Sequence, residues 1–196
     1  PILVGGTGLY LDALLRGIDF AAGSQDTPLR RQLQERLRRE GAEALLEALR
    51  RIDPDSAARL HLRDEKRILR ALEVYQETGE TITQHDRRTR EQPPRYEGLF
   101  IGLNFKDRQD LRDRIDRRVD DMVAQGLLDE VRSLLRSGLP RTATAWQAIG
   151  SKQFLAVADG RMTEADAVEE VKLRSRQYAK RQLTWLRRNE AIHWVL

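Results

Sequence analysis

Apolar positions recur at helical spacing along most of the chain, and in three places they form short unbroken runs instead. The runs at 1–4, 98–105 and 191–196 are too short for helices and are bounded by glycine or polar residues, so they predict strands. The first passes into Gly5-Gly-Thr-Gly8 and then into a helical pattern of Leu9, Tyr10, Leu14 and Leu15 that stops at Gly17. That is a strand-turn-helix unit of the parallel-sheet kind. Three strands make a poor parallel sheet, which normally has both faces covered and more members. The expectation is a fragment, with further strands supplied upstream of Pro1.

Between the first two strands the spacing predicts helices at 28–40, 42–51, 53–60 and 64–78, with Gly41 and Gly79 as stops. Residues 81–96, with Pro93-Pro94 and several arginines, read as a polar, turn-rich return to the sheet. After the second strand come helices at 107–125, 127–137, 145–159 and 163–189. The fold class expected is α/β but predominantly helical: 1–19 and 97–196 form an incomplete parallel-sheet core, and 20–96 form an inserted helical module. No internal repeat is evident.

Composition narrows this picture by exclusion. No apolar run approaches the roughly 18 residues of a bilayer span, so membrane insertion is not expected. The absence of cysteine removes disulfides and thiolate metal sites. His61, His85 and His193 lack zinc-motif spacing, so no metal site is expected, and a reducing, cytoplasmic setting fits. The net charge is +4, from 30 arginines and 5 lysines against 31 acids. Seven basic residues and no acid lie between Lys172 and Arg188, so the rest of the chain is slightly acidic. A basic stripe on one helix is the footprint of a polyanion partner, since each neutralised phosphate releases counterions. A solvated helix face is the competing reading.

Three helices carry candidate chemistry. On 107–125, at about 100° per residue, Leu111, Ile115, Val119 and Met122 form one stripe, with Arg118 in its middle and Arg114 at its edge. Both guanidinium groups are expected to point inward and to need an anion there, either a phosphate or diphosphate or the carboxylate of a buried ion pair. On 64–78, Ile68, Leu72 and Tyr75 share a face opposite Lys66, Arg67 and Arg70, which could grip a nucleic-acid backbone or simply face water. On the last helix Val168, Val171, Ser175, Ala179, Gln182 and Leu186 lie on one side. Arg174, Gln177, Lys180, Arg181, Thr184, Arg187 and Arg188 lie on the other. Trp185 stands at the boundary, suited to stacking on a base or to ordinary core packing. The Gly5–Gly8 turn can bring backbone N–H groups and the Thr7 hydroxyl to a ligand at a helix N-terminus. It is not a P-loop, and no Gly-x4-Gly-Lys-Ser/Thr occurs in the chain.

Several segments together resemble the tRNA dimethylallyltransferases, the IPP transferase family. They are Pro1-Ile-Leu-Val-Gly-Gly-Thr-Gly-Leu-Tyr10 with Ala13-Leu-Leu-Arg-Gly17, Asp53-Pro54 with Ala57-Ala-Arg59 and His61, and Arg67-Ile-Leu-Arg-Ala-Leu-Glu-Val74. Further on come Arg114-Ile115, Arg118-Val119, Gly126-Leu127, Glu130-Val131, Tyr178-Ala-Lys-Arg-Gln-Leu-Thr-Trp-Leu-Arg187 and His193-Trp194. The resemblance covers nearly the whole chain.

It implies a P-loop-kinase-like core with a helical insertion that grips the anticodon stem. The implied reaction transfers a dimethylallyl group from dimethylallyl diphosphate to N6 of the adenosine 3′-adjacent to the anticodon in tRNA, with Mg2+ assisting departure of diphosphate. Carried over by motif, Arg118 is the arginine that stabilises the leaving diphosphate, with Arg114 a candidate beside it. Thr7, Arg30, and the run Lys66, Arg67, Ile68, Leu69 and Arg70 match tRNA contacts. So do Gln147, Ala148, Ile149, Gly150, Ser151 and Lys152, and also Lys180, Arg181, Gln182, Leu183, Thr184, Trp185, Leu186 and Arg187.

The family's P-loop and its aspartate general base would lie upstream of Pro1, together with most of the Mg2+ ligation, so the chain alone is expected to be an inactive monomer. Where the family has Gly-Tyr followed by Lys or Arg, this chain has Gly150-Ser151-Lys152. A non-catalytic tRNA-binding module and an adenylate isopentenyltransferase acting on free nucleotide are the alternatives.

Overall fold

The computed structural model describes residues 1–17 and 27–196, in two compact units that are described separately below: Leu9–Gly98, and Pro1–Gly8 with Leu99–Leu196. The expected division between residues 19 and 20 lies outside the described residues. The chain is mostly helical with one small parallel sheet.

In the unit spanning Leu9–Gly98, α1 (Gly8–Arg16) is followed by α2 (Pro28–Ile52). Thr27 caps α2 by accepting from the Arg30 N–H at 3.1 Å, and Pro28 at the first position loses nothing by lacking an N–H there. The stop expected at Gly41 is a kink with φ at +81°, a backbone that glycine adopts freely, and helix continues on both sides. Helices α3 (Pro54–Ala58) and α4 (Glu65–Thr78) pack on α2 around Leu33, Leu45, Leu49, Ile68 and Leu72. Each such side chain fully buried contributes about 1.5–3 kcal/mol. Left-handed Gly79 ends α4.

Residues 81–96 depart from expectation, because α5 (Ile82–Glu91) stands where a polar loop was read. Ile82 is its lone strongly apolar residue, so no stripe betrayed it. Instead it is fixed by a capping box, in which the Gln84 N–H donates to the Thr81 hydroxyl and the Thr81 N–H to Gln84 Oε1.

In the other unit β1 (Phe100–Leu103) pairs in parallel with β2 (Ile192–Val195), Phe100 opposite Ile192 and Leu103 opposite Val195. Gly102 is required at its place: a Cβ there would come within 2.7 Å of both Ile192 and Trp194. Residues 1–4 are exposed and form no strand, a second correction, since no described strand lies beside them to complete their backbone hydrogen bonds.

Between the strands run α6 (Arg108–Ala124), α7 (Leu127–Arg136), α8 (Ser151–Ala158) and α9 (Glu164–Leu186). Their core is Val119, Val131, Trp146, Phe154, Ala167 and Val171. The single helix expected over 145–159 is instead a short 3-10 turn, Thr144–Gln147, and then α8, separated at Gly150 with φ at +99°. The Trp146 indole N–H donates to the Pro140 carbonyl at 2.9 Å and anchors that turn.

Candidate nucleic-acid interface

Helix α9 is the spine of the site. Thr163 caps it by accepting from the Asp166 N–H, and Glu164 and Asp166 in its first turn oppose the helix dipole. Ala167 and Val171 bury against the core, whereas Lys180, Arg181, Thr184, Arg187 and Arg188 are exposed. The two sides are those read from the periodicity.

Pairing divides the stripe along its length. In the N-terminal half Lys172 holds Asp120 at 2.7 Å, Arg174 holds Glu170 at 2.7 Å and Arg176 holds Asp116 at 2.6 Å. The bond to Asp120 raises the Lys172 ammonium above its ordinary value against the opposing effect of burial. Beyond Arg176 the helix has no acid, and Lys180, Arg181, Arg187 and Arg188 form no ion pair with any described residue. The potential of the free end is therefore unneutralised, which suits a phosphate partner. Aromatic rings interleave with it: Arg181 lies 5.7 Å from the Tyr178 ring and Arg188 5.5 Å from the Trp185 ring. Trp185 is 41% exposed, neither core nor free.

The Gly5–Gly8 turn lies on this same stretch. A Cβ at Gly6 would strike the Gln182 amide, and one at Gly8 the Trp185 indole, so the backbone of the turn is seated directly on those two side chains. Exposed Thr7 between them is thereby brought beside the unpaired end of α9. Two segments predicted separately, more than 170 residues apart in sequence, meet here.

Arg118 and Arg114 require correction. Both are exposed, not inward, and neither is ion-paired among the described residues. The covered sector of α6 runs through Ile115, Asp116, Val119 and Val123, where α7 and α9 pack on it. Arg118 stands about 100° around the helix from Val119, outside that sector. The buried-ion-pair alternative is gone along with the burial.

In the Leu9–Gly98 unit Lys66 and Arg67 are exposed as read. Arg70 is not: its side chain is one-third exposed and donates to Glu73 at 2.9 Å, while Arg30 approaches the other oxygen of Glu73 to 4.0 Å. Glu73 itself is buried at 1%. The structure thus brings Arg30 and Arg70 together over one carboxylate that sequence reasoning passed over; its signal was a lone acid inside the apolar run Ala71-Leu-Glu-Val74. Ile68 and Leu69 are core residues facing away from solvent. In the segment 147–152, Gln147, Ala148 and Lys152 are exposed, Ile149 and Ser151 half-buried and Gly150 buried. The Gly150 N–H donates to Gln153 Oε1. On α9, Leu183 and Leu186 are half-buried, and the Thr184 hydroxyl donates to the Lys180 carbonyl.

Asp53, quoted only as part of a motif, proves to tie α3 to α5. Its carboxylate accepts from the Ser56 N–H, the Thr83 N–H and the Thr83 hydroxyl at 3.0, 3.0 and 2.6 Å. No three described His, Asp or Glu side chains converge where a metal could sit. Among the described residues no helix is long and apolar enough to cross a membrane.

A family model described as IPP transferase matches residues 1–189. Over 195 residues the chain is 47% identical to tRNA dimethylallyltransferase 1 of Trichlorobacter lovleyi, covering 100% of this chain and 63% of that protein. It is 45% identical to the tRNA dimethylallyltransferase of Geobacillus thermodenitrificans, with 99% and 61% covered. The chain therefore spans about three fifths of the length of these curated relatives. Among solved structures, the full-length tRNA isopentenylpyrophosphate transferase of Bacillus halodurans matches with a TM-score of 0.61 at 38% identity, covering all of this chain and 59% of that one. A eukaryotic dimethylallyltransferase acting on tRNA matches with a TM-score of 0.72 at 31% identity, covering 95% and 47%.

Proposed function

The chain belongs to the IPP transferase family, and from that premise we propose that it serves dimethylallyl transfer from dimethylallyl diphosphate to N6 of the adenosine 3′-adjacent to the anticodon in tRNA. The observation that most supports a role in gripping RNA is the unpaired end of α9 with the Gly5–Gly8 turn seated on Gln182 and Trp185. In the reaction N6 bonds to the allylic carbon as that carbon's bond to the diphosphate oxygen breaks, and N6 gives up a proton. The target adenosine leaves its stack, at a cost of about a few kcal/mol that is smallest in an unpaired loop.

Arg118 is the residue we assign to the departing diphosphate. Exposed and without an ion pair, it is available to an anion without first breaking a protein contact. Arg114, one turn away, is a second candidate. Thr7, Lys180, Arg181 and Arg187 meet the anticodon loop, with Gln147 and Lys152 from the same unit. The insertion, 20–96, grips the stem through Lys66, Arg67, and the pair Arg30 and Arg70. Magnesium is assigned in this proposal to the part of the family enzyme beyond the three fifths that this chain spans, which agrees with the lack of any cluster of three described His, Asp or Glu side chains. No P-loop motif occurs in the 196 residues, which supports inactivity of the chain alone. A cytoplasmic, monomeric enzyme is the setting proposed.

The test offers labelled dimethylallyl diphosphate to the chain, alone and joined to the N-terminal portion of a relative, with anticodon stem-loop RNA and AMP in parallel. Label in the RNA, from the joined protein only, is expected. Label in AMP would replace this reading with a free-nucleotide enzyme, and RNA binding without label in either would leave a binding module.

A further inference from the structure

In the unit containing α9, a cleft of about 1080 Å³ lies between the start of α6, the loop leading into it, and α9. One wall carries Lys106, Arg108 and Arg112, the other Lys180 and Arg187. None of these five forms an ion pair with any described residue. Asp116 is the one acidic side chain among the described residues lining the cleft, and both its oxygens accept from Arg176 Nη1 at 2.6 Å.

With 31 acids in the chain, exposed arginines can find partners, as Arg36 does with Glu40 and Arg141 with Asp159, yet five cations around this one cleft have none among the described residues. Five cations facing one space, with its single acid already saturated, repel one another across a concave surface that focuses their field. An anion relieves that repulsion. The walls also carry apolar surface, since Phe105 is 37% and Leu173 41% exposed. Separated cations beside an exposed aromatic ring suit a strand with spaced phosphates and flat bases better than a single compact anion.

We propose that this cleft is a second phosphate-binding wall for RNA, in which Lys106, Arg108 and Arg112 take the phosphodiester backbone of the same strand that meets Lys180 and Arg187. The inference rests on the reading of α9 as an RNA-contacting helix and extends it to residues outside every motif that carries the family resemblance. α9 is then one side of a groove, with the strand lying between two basic walls instead of on a single helix face. The ion pair between Arg176 and Asp116 closes the floor of that groove, fixing α6 against α9 and so fixing the spacing of the walls.

The experiment measures binding of fluorescent anticodon stem-loop RNA to the full 196-residue chain by anisotropy across a salt series. The variants are K106A/R108A/R112A, the charge-keeping R108K/R112K, and K180A/R181A. The three residues on the first wall are exposed, so the triple variant keeps its fold, which circular dichroism verifies. The expected result is a loss of about tenfold or more in affinity for the triple variant. Its log K against log salt slope should be shallower by about 0.7 to 0.9 for each contact removed. R108K/R112K should retain the wild-type slope, and RNA should protect Lys106 from acylation in the wild-type chain.

If K180A/R181A weakens binding while the triple variant binds as the wild type does, the second wall is overturned and the reading of α9 stands. If neither variant weakens binding, both fall. Millimolar inorganic diphosphate that binds the wild type but not the triple variant, with RNA binding equal in the two, would also overturn the proposal by making the cleft a small-anion site.

Discussion

Gly8 lies directly beneath the Trp185 indole, so closely that no side chain fits between them. Gly8→Ala must therefore swing the ring or lift the turn, and overpacking of this kind costs about 1–3 kcal/mol. In a Trp185→Ala background the obstacle is gone, and the same substitution should then cost less than about 0.5 kcal/mol. Urea midpoints of the four proteins check this; equal costs in both backgrounds would separate Gly8 from Trp185. The single variant should also bind stem-loop RNA more weakly, because Thr7 moves with the turn.

Asp53 gives a pH dependence of definite sign. Burial acts to raise its carboxyl, but the hydrogen bonds from Thr83 and Ser56, with Arg59 nearby, hold it below the ordinary value. A carboxyl lowered in the folded state contributes stability that is complete above its unfolded value near 4 and disappears as pH falls through the lowered one. Asp53→Asn should cost about 1–2 kcal/mol at neutral pH, and the gap from wild type should shrink near pH 2. Denaturation of both proteins at the two pH values measures it.

Arg118→Ala in the joined, active enzyme should lower the transfer rate by about 10² to 10³ while stem-loop affinity changes little, since the group meets charge that develops as diphosphate leaves. Single-turnover rates alongside binding constants separate the two effects. Unchanged turnover would return Arg118 to the role of a solvated surface residue.

Glu73→Gln keeps the shape of a buried side chain but removes the charge under Arg30 and Arg70. The expected cost is about 1–3 kcal/mol in unfolding free energy, with weaker stem-loop binding, because the two guanidinium groups lose the anion that sets their positions. A midpoint equal to that of the wild type would show that the pair is held by other contacts.

Legibility in the sequence followed how local the determining physics was. The helix spans around Leu45, Ile68 and Val171 came from spacing alone, because burying an apolar stripe is their main source of stability. α5 did not, since its start is fixed by two reciprocal hydrogen bonds between Thr81 and Gln84, a signal that apolar periodicity does not carry. The apolar run at 1–4 has the pattern of a strand, yet a strand is completed by its neighbour and no described strand lies beside it. For Arg118 the stripe is real and the placement wrong, because at 100° per residue Arg118 falls about 20° beyond Leu111, outside the sector of Leu111, Ile115, Val119 and Met122 that packing covers. The meeting of Gly8 with Trp185, and of Arg30 with Arg70 over Glu73, is tertiary and had no local signature.

The pairing of Phe100–Leu103 with Ile192–Val195 also sets the order in which the molecule can assemble. Those strands are joined only after an intervening loop of about 90 residues has closed, whereas α2, α3 and α4 meet neighbours close by in sequence. The helical unit can therefore form early in folding, and the parallel pair must wait for α6 to α9 to bring its two halves together. Pulse-labelling hydrogen exchange should find the amides of α2 and α4 protected while those of Ile101 and Leu103 still exchange freely.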